Sequence, residues 1–307
     1  MKKLLFPFIL LLVLIISACS NETSGTEESS SKKEEQPKTI TYQSENGPIE
    51  VPANPKRVIL LSGFTGNVID LGVNIVGVDV WSKNNPTFKE ELKDVAEVSD
   101  ENLEKIIELE PDLIIGLSNI KNLDKLKEIA PTVTYTWGKA DYLTQHLEIG
   151  KLLNKEKEAQ AWVDDFKTRA KTAGDEIRSK IGEDATVSVI EAYDKDLYVF
   201  GNNWARGTEI LYQAMNLRMP DKVKEMALKS GYYTISAEVL PEYAGDYVIL
   251  SKYADADHSF QETETYKNIP AVKNNRVFEL NGNGASFSDP VTLDKQLDFF
   301  KKSFLGN

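Results

Sequence analysis

The chain has 307 residues, 36 Lys+Arg against 48 Asp+Glu, a formal charge of −12 and 41% hydrophobic residues. That length suits about two domains, and the acidic balance repels phosphate backbones, which excludes nucleic acid as a general partner. One cysteine and two histidines exclude an internal disulfide framework, a cysteine-cluster metal site and a multi-histidine centre, so no metal held directly by side chains is expected.

Residues 1–20 read MKKLLFPFILLLVLIISACS: two lysines, an apolar run from Leu4 to Ile16, then small residues before Cys19. The run falls short of the ~20 residues that cross a bilayer, so residues 1–18 read as a secretory signal peptide. Ile16, Ser17, Ala18 and Cys19 resemble the bacterial lipobox, which makes Cys19 the expected lipidation site. Residues 20–38, SNETSGTEESSSKKEEQPK, carry no large apolar side chain and cannot offset the entropy of ordering. Residues 19–38 therefore read as a lipidated cysteine and flexible tether. A soluble body held by that anchor would sit on the extracytoplasmic face of the cell membrane.

From residue 39 short β-branched runs alternate with helical patterns, the mark of α/β layering. The first pass predicts strands at 57–61, 74–78, 112–116 and 132–135, with helices at 67–71, 103–109 and 123–129. The second predicts strands at 186–191, 246–250 and 276–280, with helices at 209–215, 237–243 and 266–269. Two fragments match in pattern, LEKIIELEPDLIIG and AEVLPEYAGDYVIL, placing Glu104 against Glu238 and Asp112 against Asp246 at one offset of 134 residues. So long a repeat indicates two similar lobes, since solenoid periods are ~20–50 residues. Between them Trp162, Phe166 and Ile177 fall at helical spacing without a proline, predicting one long connecting helix. The expected organisation is an N-terminal α/β lobe at 39–154, a connector at 155–181 and a C-terminal α/β lobe at 182–307. A single rigid helix permits only modest hinge closure.

No Walker pattern, Gly-x-Ser-x-Gly elbow or His-Glu-x-x-His is present, and a lipidated cysteine is no nucleophile, so an enzyme is not expected. His146 precedes the connector and His258 lies in a polar loop; neither has the company of a ligand set. Aromatic residues instead collect after strands: Phe64, Trp81 and Trp137 in the first lobe, and Tyr193, Tyr198, Trp204, Tyr232, Tyr233 and Phe287 in the second. Carboxyl ends of strands are where open α/β sheets bind ligands. Trp162 and Phe166, on the connector, read as packing residues. The stretch YVFGNNWARGTEIL ends a strand in a Gly-Asn-Asn turn, sets Trp204 beside Arg206 and opens a helix at Gly207. An Arg fixed near an aromatic plane can donate to the oxygens of an anionic or metal-chelated ligand. Gly282, Gly284, Ser286 and Phe287 before Asp289-Pro290 predict a flexible loop forming another wall.

The lipobox and tether, PANPKRVILL, the LEKIIELEPDLIIG repeat, GNNWARGTEILYQAMNL, and AVKNNRVFEL with SDPVTLDKQ together resemble the iron–siderophore substrate-binding lipoproteins of bacterial ABC importers, in particular those for ferric hydroxamates such as ferrichrome and ferrioxamine. The resemblance covers residues 39–305. It implies two α/β lobes joined by one helix, a monomer without a cofactor, and a ferric siderophore in the cleft, its iron held by the siderophore itself. It places Trp204 and Arg206 against the hydroxamate oxygens, and brings in Phe64, Trp81, Trp137 and Phe287. It also implies that Glu104 and Glu238 dock into the two subunits of an ABC permease, where charge sets orientation and on-rate; ordinary helix-start carboxylates are the structural alternative. The same fold can serve a catecholate, ferric citrate, haem or cobalamin. A direct ferric-ion binder using tyrosines with His258, and an enzyme on this scaffold, are the remaining alternatives.

Overall fold

A computed structural model describes residues 38–306; the expected signal peptide, Cys19 and the tether to residue 37 lie outside the described residues. An antiparallel hairpin of β1 (Thr39–Ser44) and β2 (Gly47–Pro52) comes first. There follow β3 (Val58–Leu60), α1 (Thr65–Asp70), β4 (Ile75–Val78), α2 (Val80–Lys83), β5 (Ala96–Glu97), α3 (Leu103–Glu108), β6 (Leu113–Leu117), α4 (Leu123–Ile129) and β7 (Thr132–Tyr135). Strands β3 to β7 form one parallel sheet in the order β5-β4-β3-β6-β7. The central β3 is an uninterrupted apolar run, Val-Ile-Leu, buried throughout, as a parallel strand covered on both faces requires.

Helix α5 (Tyr142–Leu152) starts on Asp141, whose carboxylate accepts from the amides of Leu143 and Thr144. Helix α6 (Glu156–Ile181) is the long element between the lobes; it buries Ala159, Val163, Phe166, Ala170, Ala173 and Ile177, a single stripe at helical spacing. Trp162 stacks on Phe166 with centroids 4.8 Å apart, so both are packing residues.

The second lobe comprises β8 (Val187–Tyr193), β9 (Asp196–Phe200), a π-helical turn at Glu209–Ala214, α7 (Asp221–Ala227), β10 (Tyr232–Ile235), α8 (Leu240–Tyr243), β11 (Tyr247–Lys252), α9 (Glu264–Lys267), α10 (Pro270–Lys273), β12 (Val277–Asn281), α11 (Gly282–Ala285) and α12 (Pro290–Leu305). Its sheet runs β10-β9-β8-β11-β12, with β8, β11 and β12 parallel and β9 antiparallel to both its neighbours.

The repeat has a physical basis in its aspartates. Asp112 accepts from the amides of Lys56 (2.6 Å) and Arg57 (2.9 Å), and Asp246 from the amide (2.8 Å) and hydroxyl (2.9 Å) of Thr186. Each aspartate thus ties the start of its own strand, β6 or β11, to the start of the neighbouring central strand, β3 or β8. The lobes diverge beyond the central strand. β8 and β9 are joined across Asp194 and Lys195, with Asp194 left-handed at φ 53°, and so short a connection permits only antiparallel pairing.

Two local expectations differ. The helix expected at 237–243 begins only at Leu240, because Pro241 has no amide to donate and belongs in a first turn. The loop expected at 282–289 is instead the helical turn α11, started by Asn281 accepting from the Gly284 amide at 3.0 Å.

Helix α12 is a second tie between the lobes. Val291 packs on the first-lobe core, while Leu293, Leu297, Phe300 and Phe304 belong to the second. Its N-cap, Asp289, accepts from the amide and hydroxyl of Thr292 and lies against Gly66 of α1, where a Cβ would stand 1.7 Å from the carboxylate. Burial raises the Asp289 carboxyl to about 6. Between its unfolded value near 3.9 and that value the folded chain holds a proton the unfolded chain has lost, so its contribution to stability falls as pH rises through that window. We expect Asp289→Asn, which keeps the cap, to gain on wild type by about 2–3 kcal/mol between pH 4 and pH 7 in urea denaturation; parallel pH profiles would contradict the assignment.

Candidate functional site

The carboxyl ends of the central strands face one cleft of about 480 Å³. The first lobe contributes Ser62, Gly63, Asp79, Trp81, Leu117 and Trp137; the second contributes Glu191, Tyr193, Tyr198, Phe200, Trp204, Arg206, Tyr232, Tyr253, Ser286 and Phe287. In the first lobe the cleft lies where the strand order reverses about β3, the position at which open α/β sheets bind ligands.

Asp79 caps α2, accepting from the amides of Trp81 (2.9 Å) and Ser82 (3.1 Å) and from the Ser82 hydroxyl (2.7 Å). That anchored turn presents Trp81, which stays 59% exposed. Trp137, 65% exposed, meets Trp204 of the other lobe edge to face with centroids 6.4 Å apart. Trp204 in turn rests on Gly231 (φ 89°), where a Cβ would come within 2.4 Å of the indole. Tyr232 packs on both Trp204 and Tyr198, and Tyr193 on Tyr253.

Arg206 sits in an unusual turn: Ala205, Arg206 and Gly207 all take positive φ, at 58°, 55° and 83°. Left-handed backbone at non-glycine residues is unfavourable unless neighbours hold it. Here the Arg206 amide donates to the Ala285 carbonyl (2.8 Å), the Ala205 amide to Glu209 (3.1 Å) and the Trp204 amide to the Thr208 hydroxyl (2.9 Å). The result aims the guanidinium into the cleft.

That guanidinium is already paired. Its Nε and Nη2 donate to the two oxygens of Glu191 at 2.8 and 2.9 Å, a fork-on-fork contact, and it lies 5.1 Å over the Phe200 ring. Glu191, whose side chain is 4% exposed, also accepts from Ser251 at 2.8 Å. Burial alone would lower Arg206, but the bonds to Glu191 outweigh it and raise the guanidinium above its ordinary value. Burial likewise raises the Tyr253 phenol, against the opposing pull of Arg206; its hydroxyl is 2.7 Å from Ser286.

Of the sequence-predicted ligand residues, Trp81, Trp137, Tyr193, Tyr198, Trp204, Arg206 and Phe287 share this cleft. Phe64 does not: it is 5% exposed, packs edge to face on Tyr135 in the first-lobe core and lines only an adjoining cavity. The reason is apolar packing: Phe64, at the N-cap of α1, belongs to the buried first-lobe cluster with Val68, Leu71 and Tyr135. Tyr233 stacks on Tyr243 instead of facing the cleft. His146 is fully buried, with Nδ1 3.1 Å from Asn67 Oδ1, and His258 Nε2 is 2.8 Å from the Tyr253 carbonyl. Neither lines the cleft. Among the described residues no group of three or more His, Cys, Asp or Glu is placed to hold a metal. Glu104, in the first turn of α3, and Glu238, before α8, are both exposed; the Ser236 hydroxyl holds Glu238 below the usual carboxylate range.

Sequence reasoning passed over Glu191 and Tyr253. Glu191 had a signal: it is a carboxylate inside VSVIEAY, a run buried up to its last residue, and a buried charge needs a partner. Tyr253, just beyond β11, had none, since only the fold brings it to Arg206 and Ser286.

Chemically, the cleft offers a broad aromatic surface, four tyrosine hydroxyls and one guanidinium. The charges on its walls are Asp79, Glu191 and Arg206, and the cation is neutralised in place. It is equipped to hold a bulky, uncharged ligand bearing oxygen acceptors. Two α/β lobes around such a cleft define a substrate-binding protein. Residues 59–283 match the periplasmic binding protein family, and the chain belongs to it. Members of that family are non-enzymatic carriers, and this chain is a carrier and not an enzyme. It is 35% identical over 273 residues to the iron(3+)-hydroxamate-binding protein FhuD of Bacillus subtilis, covering 87% of this chain and 86% of the relative. The FhuD protein from S. pseudintermedius superposes with a TM-score of 0.77 at 34% identity, covering 88% of this chain and 99% of that one. FhuD2 from Staphylococcus aureus with bound ferrioxamine B gives 0.77 at 32% identity, covering 82% and 99%.

Proposed function

We propose that this chain captures a ferric hydroxamate siderophore in the inter-lobe cleft and delivers it to an ABC permease. The observation that carries this reading is the neutralised cation: Arg206 is held by Glu191, so the cleft has no surplus positive charge. Three singly charged hydroxamates cancel the charge of ferric iron, whereas a tricatecholate complex is trianionic and would meet Asp79 and Glu191 without a free cation. The aromatic walls take the chelate's carbon skeleton, and Arg206 and the tyrosines donate to its oxygens. The siderophore supplies every iron ligand, so the metal is cargo and no cofactor is needed. The ferrioxamine B carried by FhuD2 and the hydroxamate named for the Bacillus relative support the same ligand class.

The carrier works as a monomer on the extracytoplasmic face, tethered through lipid on Cys19, and Glu104 and Glu238 dock one lobe each on the permease. Their shared place in the repeat and their exposure support that role. We expect Glu104→Ala/Glu238→Ala to bind ferrioxamine B as wild type does in a calorimetric titration, yet to lose siderophore-dependent iron uptake by cells. Full uptake by the double variant would remove the docking assignment, and a wild type that takes up no ferrioxamine B in the titration would remove the ligand.

A further inference from the structure

Glu104 and Glu238 belong to a larger matched surface. In the first lobe Glu104, Ile107 and Glu108 are exposed while Ile106 is fully buried; in the second, Glu238, Pro241 and Glu242 are exposed and Leu240 is buried. Each of these positions keeps the offset of 134 residues that separates Asp112 from Asp246. Inside, the lobes differ, since β9 runs antiparallel to both its neighbours. Outside, both present a carboxylate, an apolar residue three positions on, and a second carboxylate directly after it.

Ile107 is 56% exposed on α3. A single apolar side chain in water is ordinary, but this one is continuous with Leu103, Pro111 and Ile129, and together they wall a groove of about 520 Å³ between α3 and α4. Glu110, Lys125 and Glu128 complete its lining. The ion pairs of this face join Lys121 to Glu101 and Lys127 to Asp124, so Glu104, Glu108, Glu110 and Glu128 stand outside any pair among the described residues. Against these four, Lys105 and Lys125 are the nearby cations in sequence, and the surface is acidic on balance. In the second lobe Lys222 pairs with Glu225, with Glu242 a smaller cause of its raised ammonium. Residues three apart on a helix are neighbours, with Cβ atoms about 5–6 Å apart. A loop whose basic side chain reaches Glu104 therefore also covers Ile107.

We propose that the groove between α3 and α4 is an apolar socket of the permease interface, taking one apolar side chain from an extracytoplasmic permease loop whose flanking residues are basic. This rests on the docking of Glu104 and Glu238, and adds to it an anchor. Rim carboxylates set orientation and on-rate, whereas an apolar side chain seated in a pocket slows release. Pro241 is the counterpart of Ile107 on the second lobe.

The test uses the full-length chain as the only carrier in cells supplied with ferrioxamine B, in wild type, Ile107→Ser and Ile107→Leu. Because Ile107 stands largely in water, Ile107→Ser is expected to fold and to bind ferrioxamine B as wild type does in a tryptophan-fluorescence titration. Iron uptake at limiting siderophore should fall about fivefold or more, the effect of losing one interface anchor. Ile107→Leu refills the groove and should keep uptake within about twofold of wild type. Wild-type uptake by Ile107→Ser, with uptake lost by Glu104→Ala/Glu238→Ala, would overturn the socket and leave the docking glutamates standing. Wild-type uptake by both variants would instead remove the docking reading itself. An Ile107→Ser protein that no longer binds ferrioxamine B would also overturn the socket, since Ile107 would then be holding the first lobe together and not meeting the permease.

Discussion

Arg206→Ala is expected to weaken ferric hydroxamate binding by about 1.5–3 kcal/mol, the range of hydrogen bonds involving a charged group. The same change strands Glu191, whose side chain is 4% exposed, with Ser251 as its remaining donor. Removing one partner of a buried ion pair costs about 3–5 kcal/mol, and because Arg206 retains 16% exposure the lower end applies. The variant should therefore lose both affinity and stability. These effects separate in Glu191→Gln/Arg206→Ala: an amide no longer needs the guanidinium, so urea denaturation should show most of the stability restored while the affinity stays low. An Arg206→Ala protein that binds as tightly as wild type would sink the assignment of Arg206 to the ligand. A double variant as unstable as the single one would show that the turn, and not the stranded carboxylate, sets the cost.

Gly207→Ala attacks the same turn through the backbone. Gly207 has φ 83°, and a Cβ there would stand 2.3 Å from the ring of Phe300, which is fully buried in the second-lobe core. Strain at a left-handed position costs an L-residue roughly 1–2 kcal/mol, and forcing a methyl into a packed core about 1–3 kcal/mol more. A loss of about 2–5 kcal/mol in chemical denaturation is expected, together with reduced affinity, since Arg206 is the preceding residue. Phe300→Leu in the same chain should recover part of the stability by opening room for the methyl. A Gly207→Ala protein of wild-type stability would mean that the turn at 205–207 is not under the constraint described.

Much of this was legible in the sequence because it depends on local pattern. The alternation of β-branched runs and helices set the α/β class, and the offset shared by Asp112 and Asp246 marked two strands tied in the same way. The strand ending at Phe200 was visible, but its antiparallel direction and β10 were not, because an apolar run fits either direction and the decision lies in the short Asp194-Lys195 connection. Helix α12 carried helical spacing, but no local signal says that a helix will bridge two cores. In the cleft, residues next to strand ends were legible by position: Trp81, Trp137, Trp204 and Arg206 all come shortly after the end of a strand. Phe64 met the same criterion and went the other way, because a strand-end residue at a helix N-cap can point into the core as readily as outwards. Glu191 and Tyr253 depend on long-range pairing with Arg206, which spacing along the chain does not encode.

The neutralised cation at the centre of the cleft is tested most directly by charge. Three of the four tryptophans, Trp81, Trp137 and Trp204, line the cleft, while Trp162 packs on Phe166. Titrating residues 39 onward with an uncharged ferric trihydroxamate and with a trianionic ferric tricatecholate, and following tryptophan fluorescence, compares the two ligands at one site. Saturable quenching by the trihydroxamate, with the tricatecholate far weaker, is the predicted result. Tighter binding of the tricatecholate would contradict the account, since it would require a positive charge that the Arg206–Glu191 pair does not leave free.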